Sequence, residues 1–124
     1  MRYRSAGLGI VLFFCVAAGT GQAGDSQNRF KSYNPLLSCG DFVELRQGPE
    51  TIEKTAAFWW LIGFVSGVNN GLPETFDITG DTGLFDSLQW AVDYCAANPE
   101  APLEDAAQSL VRHLYPNRIP EAPE

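Results

Sequence analysis

The sequence predicts a small all-α domain, a helical bundle of about four helices with one disulfide. Three observations predict it. Apolar residues recur at helical spacing in four segments, each segment ends in a glycine, asparagine or proline stop, and no stretch alternates polar and apolar residues long enough for a strand.

The first helix is expected to follow Pro35. Ser38 is placed to cap it, with Asp41 three residues on as a capping-box analogue. Cys39, Phe42, Val43 and Leu45 give it an apolar face, and Gly48-Pro49 stops it. The second helix begins near Glu50 or Thr51 and runs to about Asn70. Ile52, Ala56, Trp59, Gly63 and Gly67 fall on one stripe, and Trp60, Phe64 and Val68 on another. From Ala56 to Val68 it is apolar nearly all round, the pattern of a central and most buried element. Gly63, Ser66 and Gly67 are small enough to admit a close neighbouring helix, and Asn69-Asn70-Gly71 with Pro73 ends the segment.

A loop is predicted from Glu74 to Gly83, with Asp81 or Thr82 capping the third helix. That helix covers about Leu84 to Ala97, with Leu84, Leu88, Ala91, Val92 and Cys95 inward and Asn98-Pro99 as its end. Pro102 suits the first turn of a fourth helix carrying Leu103, Ala107, Leu110 and Leu114, stopped by Pro116. The domain organisation expected is therefore an export signal at 1–23, a flexible lead-in at 24–37, a helical domain at 38–116 and a loose tail at 117–124.

The export signal has its parts in the required order. Arg2 and Arg4 supply positive charge, Leu8 to Ala18 is an apolar run of eleven residues, and Gly21 and Ala23 stand at −3 and −1 of a cleavage site before Gly24. The run is short for a bilayer span, which takes about 20 residues. Phe14 before Cys15 does not fit a lipoprotein signal, so Cys15 is expected to leave with the signal. The mature chain then keeps Cys39 and Cys95. In an oxidising compartment such an even pair reads most simply as a disulfide, two buried free thiols being the alternative. It also keeps six basic residues against fifteen acidic ones, a net charge of −9. Nucleic acid and anionic lipid are poor partners for that balance, whereas basic proteins and cations remain open.

Four local patterns now stand in order: Cys39-Gly-Asp41-Phe42, Gly63-Phe64 followed by Asn69-Asn70, Asp77-Ile-Thr-Gly80, and Cys95 near the end of the third helix. In this order and spacing, over roughly Ser38 to Leu114, the chain resembles the HdeA/HdeB family of periplasmic acid-stress chaperones. The resemblance implies a compact helical domain with Cys39 joined to Cys95, and a homodimer at neutral pH. It further implies that acid loosens the dimer and exposes apolar surface that holds unfolded periplasmic proteins. The segment from Gly63 to Leu114, with its Gly-Phe-Val-Ser-Gly-Val run, Tyr94 and Asn98-Pro99-Glu100, also looks like the Rap/Tai type of immunity proteins. That likeness implies a periplasmic protein that binds a cell-wall amidase effector of type VI secretion.

No constellation for catalysis emerges, and the expectation is a non-enzymatic protein without cofactor or metal. Asp81-Thr82-Gly83 spells the aspartic-protease triplet, but that chemistry needs an apolar strand before the aspartate, and here Gly80 precedes it. Asp77, Thr79, Asp81 and Asp86 offer oxygens to Ca²⁺, yet Leu88 stands where a bidentate glutamate belongs. His113, the single histidine, has no serine or cysteine nucleophile to serve and reads as a rim residue able to contribute to acid sensing. The candidate client- or partner-binding residues are Trp59, Trp60, Phe64 and Trp90, for which burial in the core is the competing reading. Adjacent tryptophans on a helix point about 100° apart, so both are buried only where the helix is surrounded.

Overall fold

The computed structural model describes Gln27, Lys31, Tyr33 and residues 37–124; the export signal read at 1–23 lies outside the described residues. The chain divides into two compact units, Met1–Lys31 and Ser32–Glu124, and every helix described belongs to the second. That unit holds α1 (Cys39–Gln47), α2 (Ile52–Gly71), α3 (Gly83–Ala97) and α4 (Leu103–Leu114), with single 3₁₀ turns at Gly80–Thr82 and Tyr115–Asn117. Extended pairing among the described residues is limited to two isolated antiparallel bridges, Ser38 with Pro102 and Asp77 with Ile119. The domain is all-α, as its apolar spacing predicts.

α1 starts where its capping box places it. The Ser38 hydroxyl accepts from the Asp41 backbone N–H at 3.1 Å, and the Asp41 carboxylate accepts from the Ser38 backbone N–H, also at 3.1 Å. α2 opens on Thr51, whose hydroxyl accepts from the Lys54 N–H. Thr82 stands at the N-cap of α3 as one of the two expected residues, but its side chain makes no capping hydrogen bond, and the 3₁₀ turn feeds straight into the first helical residue. Its entry is held from inside instead, where the buried Ser87 hydroxyl donates to the Gly83 carbonyl at 2.6 Å.

The core is built around α3 and α4. Leu103, Ala106, Ala107, Leu110 and Leu114 are buried on one face of α4, a spacing of three, one, three and four residues. Ser87, Leu88, Ala91 and Cys95 are the buried residues of α3, the four-residue steps putting them on one face, and Phe42 and Cys39 of α1, three α2 residues and Ile78 of the 72–82 loop join the same core. Cys39 and Cys95 form a disulfide that ties α1 to the last turn of α3. Backbone hydrogen bonds from Cys39 to Ala101, from Gly40 to Pro99 and from Leu103 to Leu37 stitch the start of α1 to the α3–α4 link.

α2 is not the central helix that its all-round apolarity suggested. It packs against α1 and α4 and buries only Ala57, Leu61 and Val65. Of the other three helices, α1 and α4 pack along it, so this 20-residue helix leaves its far side in water. Residues 117–119, expected as the start of a loose tail, are tied down. Ile119 exchanges backbone hydrogen bonds with Asp77, and Arg118 donates to the Glu74 carbonyl and the Thr75 hydroxyl. Gly80 lies under this segment at φ +54°, where a Cβ would run into the Asn117 carbonyl; both the angle and the space call for glycine.

Candidate protein-binding face

The outer side of α2 carries the stripe Ile52, Ala56, Trp59, Gly63, Gly67, all exposed. Ile52 is 84% exposed and Trp59 66%. Single exposed apolar residues are ordinary; a run of them along four turns of one helix is not. Gly63 and Gly67 sharpen the point. A Cβ at either would meet open space, so nothing among the described residues requires glycine there. Glycine inside a helix costs about 1 kcal/mol relative to alanine. The stripe thus combines apolar anchors with two backbone positions left bare.

The four candidate aromatic residues do not form one patch. Trp59 stands in solvent on the stripe, while Trp60 and Phe64 lie half-buried beside it with ring centroids 5.5 Å apart. Trp90 sits on α3 and stacks with Tyr94 at 5.7 Å and with His113 of α4 at 4.7 Å, the latter rings only 15° from parallel. Trp90 therefore belongs to an α3–α4 aromatic ladder, and the α2 residues make their own surface. Phe85, 82% exposed at the start of α3, was not among the sequence candidates. Its signal was its position one residue off the inward Leu84 and Leu88 spacing.

Charge on this side of the molecule is negative. Asp41, Glu44, Glu50 and Glu53 are exposed about α1 and the start of α2. Lys54 is committed to Glu50, 2.8 Å away, and to the Gly48 carbonyl. Arg46 reaches across to Gln89 and lies 5.1 Å over the Phe58 ring. Hydrogen bonds from the Ser38 hydroxyl, and then from its backbone N–H, hold the Asp41 carboxyl below the ordinary value of 3.8.

Of the residues considered for calcium, Asp77 and Thr79 bond to each other. One Asp77 oxygen accepts from both the Thr79 N–H and hydroxyl at 2.8 Å, closing an Asx turn. Among the described residues, no group of three or more His, Cys, Asp or Glu side chains is placed to hold a metal ion. Nor is any helix among them long and apolar enough to cross a membrane. Comparison of the chain with known family models, characterised proteins and solved structures finds no match.

Proposed function

We propose that this chain is a non-enzymatic periplasmic protein-binding protein, an acid-stress chaperone of the HdeA type that holds unfolded clients through the outer face of α2. The observation that carries the reading is the exposed stripe itself: Ile52 and Trp59 as apolar anchors, with Gly63 and Gly67 bare beyond them. At neutral pH a second copy covers the stripe, because bare glycine backbone admits another helix closely. In strong acid the carboxylates protonate, and the mature chain, read at −9, turns positive. Repulsion between like-charged copies then opens the dimer and frees the stripe for clients.

The test is aggregation of a model client at pH 2–3, with and without the protein. Suppression that is lost in Trp59→Ser supports the reading, and no suppression by the native chain overturns it. A second reading, an immunity protein that binds a cell-wall amidase effector, is favoured by one observation. The carboxylates of Glu44 and Glu53 are exposed and have no ion-pair partner among the described residues. Co-purification with a secreted amidase at neutral pH would select it.

A further inference from the structure

A separate depression lies between α1 and the start of α2. Its volume is about 450 Å³, within the range of pockets that hold a ligand or a peptide side chain. Leu37 and Leu45, both half-buried, line its interior with Pro49. Asp41, Glu44 and Glu53, all exposed, stand around it, and among the described residues no lysine or arginine lines it. Two cations adjoin lining residues in sequence: Lys54 is already paired with Glu50 and the Gly48 carbonyl, and Arg46 reaches to Gln89 and lies over the Phe58 ring. Asp41 is spent on the α1 capping box, but Glu44 and Glu53 make no side-chain hydrogen bond or ion pair among the described residues.

Thr51 also lines a second depression, of about 510 Å³, with Glu50, Ile52, Thr55 and Ala56. Thr51 is thus common to the linings of both depressions. The second depression takes in Ile52 and Ala56, the first residues of the α2 stripe.

From this geometry we infer that the α1–α2 groove is a docking site for an extended peptide segment of a protein partner, one carrying arginine or lysine beside an aliphatic residue. The aliphatic side chain enters between Leu37 and Leu45. The cationic group remains at the rim, facing Glu44 and Glu53, where its desolvation is small. Charge complementarity at such a rim sets partner choice and encounter rate more than affinity. The inference rests on the protein-binding reading and adds to it a selective, charge-dependent site. The α2 stripe by itself recognises only apolar surface.

The experiment uses the full chain with its disulfide intact at pH 7 and low salt, titrated with the acetylated peptide Leu-Arg-Leu-Arg-Leu. Two control peptides replace every leucine by serine or every arginine by glutamine. Expected are amide shifts in Leu37, in Leu45 to Thr51 and in Glu53, with weaker binding for both controls. Glu44→Gln combined with Glu53→Gln is expected to lower affinity about fivefold, the scale of two exposed charge pairs. Both positions are exposed, and an unchanged melting curve verifies the fold. Equal binding of either control, an unchanged affinity in the double variant, or shifts confined to Trp59 and its neighbours would overturn the proposal. Trp59→Ser separates the two readings, since it removes client holding and leaves peptide binding at the groove intact.

Discussion

The Asn69 side chain holds Ile78 in place: its Oδ1 accepts the Ile78 backbone N–H at 2.6 Å, while its Nδ2 donates to the Phe76 carbonyl at 2.9 Å. One amide near the end of α2 thus satisfies two backbone groups of the 72–82 loop and seats Ile78, which is almost fully buried. Asn69→Ala leaves a half-buried N–H without a partner and is expected to cost about 1–3 kcal/mol. Asn69→Asp, which keeps the acceptor and loses the donor, is expected to cost less. Urea denaturation of the three proteins measures the order, and equal midpoints for Ala and wild type would show that the clamp contributes nothing.

Residues on the two sides of α2 are expected to respond in opposite directions. Leu61 is fully buried, and Leu61→Ala is expected to cost about 2–5 kcal/mol. Gly63→Ala and Gly67→Ala meet open space and are expected to stabilise the monomer by about 0.5–1 kcal/mol each. The same two substitutions are expected to weaken self-association, as followed by sedimentation across a concentration series. Stabilised variants that associate as well as wild type would remove the stripe from the interface.

Acid should act on α1 through its cap. The Asp41 carboxyl is held below its ordinary value, so its contribution to stability is complete above about pH 4 and declines as the pH falls through the lowered folded value. Asp41→Asn removes that titration. Its denaturation midpoint is expected to depend less steeply on pH between about 5 and 2 than that of wild type. Parallel curves for the two proteins would rule out the cap as a source of acid sensitivity.

The disulfide closes a long loop, with 56 positions separating Cys39 from Cys95. Chain-entropy reasoning puts its contribution at about 4 kcal/mol, a large share of the stability usual for a domain of this size. Cys39→Ser combined with Cys95→Ser is expected to lower the melting temperature strongly, as read by circular dichroism in both redox conditions. A double variant that melts with the oxidised wild type would show that the loop constraint is dispensable.

Local chemistry made most of the fold legible. Ser38 and Asp41 announce the start of α1, and the apolar spacing of Leu103, Ala107, Leu110 and Leu114 gives both α4 and its inward face. The orientation of α2 was not legible, because a helix that is apolar on every side has no preferred direction and its phase is set by its neighbours. Whether Trp59 lay in the core or on a binding surface therefore stayed open; it and Ile52 stand in water. The grouping of the aromatics was hidden for a similar reason. Trp90 meets His113 only because α3 and α4 pack together, a relation between residues 23 positions apart that no local pattern encodes. The tie between Arg118 and the 74–75 turn is of the same kind.

The cystine has a topological consequence. The covalent ring it closes runs through α1, α2 and α3, and α4 lies beyond it in sequence. Of the four helices, α4 alone can peel away while the other three stay tethered within one loop. Its departure would bare the partners of Leu103, Ala107 and Leu110 without releasing α2 into a fully extended chain. The cystine thus leaves α4 to be held by packing and hydrogen bonds alone, while the apolar second helix stays inside the closed loop.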